Sequence, residues 1–204
     1  MMFTHFLLPR ITDLVCGYGP ILAQRRQVVP LARGRVLEIG IGSGHNLAWY
    51  DSRQVERVFG LEPSDAMLQL ARRRAEGLPF EVDFLHAGAE RIPLDDKSVD
   101  TILTTFTMCS IADLPSAFSE MRRVLKPGGS LIYCEHGLAP EASVRRWQHR
   151  LNPLWKPLAG GCNLDRDIPT LIRCGGFALN EQGTGYISRF KLASFIYRGV
   201  ACLP

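Results

Sequence analysis

Three glycines at alternate positions could hold a small molecule against the backbone. Gly40, Gly42 and Gly44 stand directly after the strand-like residues 35–39. Glycine has no Cβ, so a ligand can approach such a turn closely. A helix is predicted over residues 43–50, and the amides at a helix N-terminus favour an anionic or polar group. The stretch therefore predicts a site for the polar end of a small molecule.

The spacing of the glycines separates several nucleotide-binding classes. A dinucleotide fingerprint has the pattern Gly-x-Gly-x-x-Gly, which would place its last glycine at position 45, where His45 stands. No Gly-Lys-Ser/Thr follows, which excludes a phosphate-binding P-loop. Glu62 ends the second predicted strand, and a carboxylate there can accept hydrogen bonds from both hydroxyls of a ribose while repelling a 2′-phosphate. An adenosine ligand without phosphates fits both features.

One histidine is the candidate general base. His136 directly follows the fifth predicted strand, and the ordinary imidazole pKa of about 6.5 suits proton acceptance. The alternative is a structural histidine that is hydrogen-bonded to its own loop.

The cysteines do not predict a metal site. No Cys-x-x-Cys pair and no zinc or iron–sulfur spacing occurs, so no metal is expected. Cys134 lies in a predicted strand and is expected to be a buried thiol. The dispersed thiols favour a reducing, cytoplasmic location; they are Cys16, Cys109, Cys134, Cys162, Cys174 and Cys202.

Charge and hydropathy narrow the range of partners. The net charge is +4, and the basic residues are scattered in pairs and triplets, so no nucleic-acid partner is expected. Residues 1–8 are apolar but make a poor signal peptide. No run approaches the ~18 apolar residues that a spanning helix needs, which leaves peripheral membrane contact open.

Strands and helices alternate along most of the chain. Strands are predicted over residues 35–39, 55–61, 82–85, 99–103 and 130–135. Ser64 and Asp113 are predicted to cap the two intervening helices. This alternation indicates an α/β fold with a doubly wound, mostly parallel sheet and helices on both faces.

The last third of the chain does not follow this alternation of strands and helices. Residues 137–164 predict a helix plus an irregular segment, and Asp165 is predicted to cap a further helix that ends near Cys174. Two strand-like runs around Gly183 and Gly185 are expected to extend the sheet in antiparallel fashion.

The chain is divided at residue 34 into an N-terminal helical segment, residues 1–34, and a main domain, residues 35–204. The segment is interpreted as a helix packed on the domain, and the alternative is a lid over a substrate pocket or a membrane-facing surface. His5 is a candidate pocket residue. The apolar residues that recur there at helical spacing are Phe3, Phe6, Leu7, Ile11, Leu14 and Val15.

Four motifs together resemble the class I S-adenosylmethionine-dependent methyltransferases, which have a seven-stranded, Rossmann-like sheet with an antiparallel C-terminal strand. The motifs are the Glu-x-Gly-x-Gly-x-Gly stretch from Glu38, the acidic Glu62, the Gly-Ala-Glu-x-x-Pro run at 88–93 and the Arg-Val-Leu-Lys-Pro-Gly-Gly run at 123–129. The resemblance covers about residues 34–200.

The resemblance implies a cofactor and its binding residues. S-adenosyl-L-methionine would bind at the carboxyl ends of the strands and leave as S-adenosyl-L-homocysteine. Glu38, Gly40, Gly42 and Gly44 would shape the floor under its methionine part, and Glu62 would bind the ribose. The remaining implied contacts are Pro63 or Met67 on the adenine face, Ala89 and Glu90 at the adenine edge, and Thr105 and Phe106 beside the methionine group.

Within that superfamily, three further stretches look like the small thiol methyltransferase-like proteins, which are membrane-associated enzymes that methylate small alkyl thiols. They are Cys109-Ser110, Glu135-His136 and Gly161-Cys162-Asn163-Leu164. Cys109, Cys162 and Asn163 are therefore candidate pocket residues. A direct in-line transfer to a small acceptor is expected, and a thiol needs little base catalysis because it is already partly ionised at neutral pH.

Other functions stay open at this point. Relatives that methylate quinones or phospholipids share the cofactor motifs, as do other small-molecule O-, N- or C-methyltransferases. A non-catalytic S-adenosylmethionine-binding protein is the alternative from another class. Residues 103–106 lack the Asp/Asn-Pro-Pro-aromatic run of amino-methylating nucleic-acid enzymes, which disfavours that group.

Overall fold

The computed structural model describes residues 8–204. Within that range the sheet comprises β1 (Gly34–Ile39), β2 (Val55–Leu61), β3 (Glu81–Leu85), β4 (Val99–Thr105), β5 (Leu125–His136), β6 (Ala178–Tyr186) and β7 (Phe195–Cys202). The α-helices are α1 (Leu8–Cys16), α2 (Gly19–Val28), α3 (Asp65–Ala75), α4 (Leu114–Val124), α5 (Ala142–Leu158) and α6 (Ile168–Cys174). Short 3₁₀ turns occupy Val29–Leu31, Leu47–Trp49 and Lys191–Ala193.

The strands lie in the order β3-β2-β1-β4-β5-β7-β6. All pairings from β3 to β5 are parallel, whereas β7 runs antiparallel to both β5 and β6. The predicted doubly wound, seven-stranded sheet with an antiparallel C-terminal strand is confirmed. The strand order reverses between β1 and β4, and open α/β sheets bind ligands at the carboxyl ends of such strands.

Alternating side chains of the central strands supply two cores. Leu37, Ile102 and Leu131 pack on one face with helices α4 and α6. Val36 and Leu103, one position away in their strands, pack on the other face with α2 and α3. Because successive strand residues point to opposite faces, the near-continuous apolar runs in the sequence reflect a sheet that is buried on both sides.

The two predicted helix caps are confirmed. Ser64 accepts from the backbone amide of Met67 at the start of α3, and Asp113 accepts from that of Ser116 at the start of α4. Such caps satisfy amides that have no partner within the helix. Cys134 is fully buried in β5, as predicted.

Two local predictions are wrong. The helix expected over residues 43–50 is only the 3₁₀ turn Leu47–Trp49, because three successive glycines of the preceding turn have positive φ and hold the chain out of helical geometry. Asp167, not Asp165, caps α6. The two antiparallel strand-like runs predicted near the C-terminus are confirmed as β6 and β7, and Gly183 and Gly185 both lie inside β6.

The described part of the N-terminal segment is mostly helical, but the side of α1 that faces inward differs from the one the sequence predicts. Leu14 is 78% exposed, and Ile11 and Val15 are also exposed. The inward stripe instead contains Pro9, Thr12 and Cys16. The expectations for His5, Phe3, Phe6 and Leu7 fall outside the described residues.

Helix α2 and the turn that follows it pack on the sheet. Val28, Val29 and Ala32 are buried in the core on the α3 face. The division at residue 34 stays a prediction. Across residues 8–204, every helix is too short or too polar to cross a membrane.

Candidate functional site

A cavity of about 550 Å³ opens at the carboxyl ends of the central strands. Its volume falls within the range of roughly 300–1,000 Å³ that is typical of small-molecule sites. Residues 39–43, 61–64, 87–90 and 105–107 form most of its wall. Pro9, Thr12 and Cys16 of α1 complete it from the N-terminal side.

The glycine turn forms the floor of this cavity. Gly40, Gly42 and Gly44 have φ values of 68°, 56° and 87°, which favour glycine. A Cβ on Gly40 would collide with Thr107. Gly40 and Gly42 lie on the cavity wall. Gly44 instead allows close packing against α3, since a Cβ there would lie 3.1 Å from the backbone of Ala71.

Glu62 links the turn to the end of β2. Its Oε2 accepts from the Gly42 amide (3.2 Å) and its Oε1 from the Ser64 amide (3.0 Å). A carboxylate has about four acceptor sites, so about two stay available to a ligand in the cavity. Burial raises the pKa of Glu62, while these two amides oppose that shift.

A buried polar network lies beneath the turn. Glu38 Oε1 accepts from Asn46 Nδ2 (2.8 Å), and its Oε2 accepts from the Tyr50 hydroxyl (2.7 Å). Burial raises the pKa of Glu38 to about 7 against the effect of these donors. The predicted floor residue Glu38 thus lies below the cavity, where it fixes the chain that follows the turn.

Arg25, which no sequence motif indicates, connects this network to the cavity. Its side chain, only 5% exposed, donates to Asn46 Oδ1 (2.9 Å) and to Thr105 Oγ1, and it lies over the Phe106 ring at 5.3 Å. The role of Arg25 could not be recognised from the sequence, because its hydrogen-bond partners lie 21 and 80 residues away along the chain. One signal was present: the arginine stands on a helix that otherwise buries Val28.

The remaining predicted cofactor residues surround the cavity. Pro63, Met67, Ala89, Glu90, Thr105 and Phe106 all lie on its wall. Phe106 has a φ of 55°, a strained value for a large side chain, and its amide donates to Cys134 O at 2.8 Å. Glu90 Oε1 also accepts from the Asp113 amide (3.3 Å), which ties this loop to the start of α4.

The predicted base and acceptor residues form a second group behind the wall. His136 Nε2 lies 3.0 Å from Cys162 Sγ. Asn163 donates through Nδ2 to Cys109 O (2.7 Å). Burial opposes protonation of His136, but contact with Cys162 raises the pKa of His136 overall. Ser110 and Gly160, close in sequence to Cys109 and Cys162, line the cavity, so the group lies next to it.

The sequence-predicted cofactor fits this arrangement. Two buried polar atoms on the cavity residues have no hydrogen-bond partner among residues 8–204: Arg25 Nε and Ser43 Oγ. Buried polar groups normally have partners. Arg25 and Ser43 also line the cavity beside the glycine turn, where a ligand carboxylate would lie, and the free acceptor sites of Glu62 would take ribose hydroxyls on the opposite side.

Comparison with known proteins agrees with this geometry. A family model described as a methyltransferase domain matches residues 37–133. The chain is 34% identical to the demethylmenaquinone methyltransferase of Thermus thermophilus, over 99% of this chain and 97% of that protein. It is 34% identical to the thiol S-methyltransferase TMT1B of Homo sapiens, over 67% of this chain and 57% of that protein.

Solved structures support the same fold. A putative methyltransferase from Bacillus halodurans superposes with a TM-score of 0.66 at 20% identity, covering 90% of this chain and 96% of that one. The fold and the site define a Rossmann-like methyltransferase domain. The chain belongs to the class I S-adenosylmethionine-dependent methyltransferases, whose cofactor is S-adenosyl-L-methionine. It spans about half the length of several curated relatives that it matches.

Proposed function

We propose that this protein transfers a methyl group from S-adenosylmethionine to a small-molecule acceptor, with a thiol as the first candidate. The observation that carries the proposal is the pairing, in one cavity, of a positive-φ glycine turn with a buried carboxylate that keeps free acceptor sites. Both features recognise an adenosine that carries a polar tail and no phosphates.

Each wall of the cavity has a proposed role toward the cofactor. Glu62 holds the ribose hydroxyls, and Gly40 and Gly42 let the backbone approach the methionine part. Arg25 and Ser43 hold the carboxylate, which is supported by the place of both residues on the cavity wall beside the glycine turn. The adenine lies against Pro63 or Met67, with Ala89 and Glu90 at its edge, and Thr105 and Phe106 border the methionine group.

The chemistry asks little of the protein beyond positioning. The bound cofactor supplies a methyl group that is already activated on a sulfonium. The protein contributes orientation and a site shielded from water, effects that can be large for well-aligned reactants. His136 as a general base stays a prediction; its Nε2 is engaged with Cys162, which leaves Nδ1 as the unpartnered nitrogen among residues 8–204.

Two acceptor classes have specific support. A thiol is favoured by the human thiol S-methyltransferase relative. The stretches around Cys109, His136 and Cys162, which resemble those of the small thiol methyltransferase-like proteins, favour it too. A demethylated quinone is the second candidate, because the Thermus thermophilus relative aligns over nearly the whole length of both chains.

Calorimetry with S-adenosylmethionine tests the cofactor first. Binding at one site per chain is expected, and no binding would refute both the enzyme and the cofactor-sensor interpretations. A panel of alkyl thiols, phenols, amines and a demethylated naphthoquinol, assayed with methyl-labelled cofactor, then identifies the acceptor. Transfer to the quinol and to no thiol would replace the first candidate with the second, and binding without any transfer would favour a sensor.

The cellular setting is also proposed. Six free cysteines support a reducing cytoplasm. Exposed Leu14 and Val15 on α1, and Leu154 and Leu158 on α5, support peripheral contact with a membrane. Scattered rather than clustered basic residues support the absence of a nucleic-acid partner.

A further inference from the structure

Three side chains that are far apart in sequence meet behind the cavity wall. The ligand-capable atoms of Cys109, His136 and Cys162 all lie within 4.8 Å of one another. Cys109 and His136 are buried, and Cys162 is partly exposed. The sequence predicted no metal because its cysteines lack short ligand spacing; here the fold, not the spacing, assembles the set.

The donor types match a particular ion. Thiolate and imidazole ligands select zinc among the common divalent ions, and hard cations such as magnesium take oxygen instead. Donor atoms around a tetrahedral zinc lie roughly 3.5–3.8 Å apart, as the usual Zn–S and Zn–N lengths require. The cluster therefore needs movements of only about 1 Å to close on an ion.

The loops that carry the three donors are tied together. Asn163 donates through both its amide (2.9 Å) and its Nδ2 (2.7 Å) to Cys109 O. Arg166 donates to Met108 O and to Ile111 O (2.7 Å), on either side of Cys109. Such supports hold donor atoms in place before an ion arrives, which is how neighbouring residues tune metal sites.

In the described part of the chain, the second ring nitrogen of His136 is free to support metal binding. His136 Nδ1 is buried and has no hydrogen-bond partner among residues 8–204. The ring thus presents Nε2 to the Cys162 thiol and leaves Nδ1 available for a second hydrogen bond. A histidine that ligates a metal through one nitrogen usually donates from the other.

We propose that Cys109, His136 and Cys162 bind one Zn²⁺ and leave its fourth position open to the sulfur of the acceptor. Three protein ligands with an open position are typical of catalytic zinc, and structural zinc has four. Gly160 and Ser110, next in sequence to Gly161-Cys162 and to Cys109, line the cofactor cavity and place the ion beside it. The acceptor part rests on the proposed function.

The acceptor step balances simply. A thiol R–SH binds the ion, the S–H bond breaks, its proton passes to solvent, and a Zn–S bond forms with no change in oxidation state. A metal ion deprotonates a coordinating thiol outright. The acceptor would thereby reach the cavity as an ionised sulfur nucleophile without a separate base, and His136 would serve as a ligand.

The test of the ion uses the full chain, purified under phosphine reduction, stripped of metal and titrated with Zn²⁺ against a competing chelator. One zinc per chain is expected. Loss of a residue that only supports a metal ligand weakens metal binding by up to about 100-fold. Loss of a ligand itself, in Cys162→Ser, should therefore weaken zinc binding by at least ~100-fold. The matched control Cys174→Ser, at an exposed cysteine at the end of α6, should bind like wild type.

Substitution with Co²⁺ provides a second measurement that does not depend on activity. Absorption from thiolate-to-cobalt charge transfer is expected in wild type and should fall in Cys109→Ser and Cys162→Ser, with circular dichroism confirming that both variants fold. Equal zinc affinity in wild type and Cys162→Ser would overturn the site.

The acceptor part has its own readout. An alkyl thiol added to the Co²⁺ protein should shift the absorption bands, and the corresponding alcohol should not. If Cys16→Ser changes the wild-type bands, then that α1 thiol closes the fourth position and the open site is refuted. Calorimetry with the cofactor separates the two proposals. A protein that binds the cofactor but fails to bind zinc refutes the metal site, and a protein that binds zinc but fails to bind the cofactor refutes the proposed function.

Discussion

Replacing Glu62 with alanine should weaken the binding of every adenosine ligand by the same factor. The carboxylate accepts hydrogen bonds from the amides of Gly42 and Ser64, which leaves about two acceptor sites for the ribose hydroxyls. Hydrogen bonds to charged groups contribute about 1.5–3 kcal/mol each, part of which water recovers in the variant. We therefore expect a net loss of about 1–3 kcal/mol, or about 5- to 150-fold in Kd.

The assay is calorimetry with two ligands that share the ribose. S-adenosylhomocysteine carries the amino-acid tail, and 5′-methylthioadenosine lacks it. Glu62→Ala should weaken both by a similar factor. Asp65→Ala is the matched control, because Asp65 is an exposed acid of the same turn that faces His86 at 3.3 Å; it should change neither.

Two outcomes would refute this reasoning. Unchanged affinity in Glu62→Ala would remove the carboxylate from the site. A loss confined to S-adenosylhomocysteine would show that Glu62 acts on the tail end through the Gly42 amide and not on the ribose.

Two further changes probe the buried network. Arg25→Met keeps bulk but removes the charge, so S-adenosylhomocysteine should bind ~10-fold or more weakly, while methylthioadenosine stays within ~2-fold; parallel losses for both ligands would contradict the carboxylate role. Burial raises the pKa of Glu38 from 4.5 to about 7, so the folded state holds the proton more tightly than the unfolded state does. The free energy of unfolding therefore falls as the pH rises between these two values. Denaturant titrations at pH 5 and pH 8 should show about 2.5 kcal/mol of this loss in wild type that is missing in Glu38→Gln; equal pH slopes would place the Glu38 pKa near its usual value.

Much of the scaffold could be predicted because its signals are local. Ser64 and Asp113 were recognisable as caps since a cap acts within three residues of itself. The boundaries of β2 were predicted at both ends, because an apolar run there is followed at once by Glu62 and Pro63.

The chemistry behind the cavity depends on contacts that no local pattern records. Arg25 reaches Thr105 across 80 residues, and His136 reaches Cys162 across 26. The failed helix after the glycine turn has a similar cause: Asn46 donates to Glu38 and to Thr105 Oγ1 (2.9 Å), which holds the segment by side-chain bonds instead of helical ones.

The position of Arg25 has a consequence for folding cooperativity. A fragment that began at residue 35 would lose the guanidinium that joins Asn46 to Thr105, and it would uncover the apolar face on which Val28 and Val29 pack. We therefore expect α2 and the sheet to unfold in one transition, because each loses buried contacts when the other is absent.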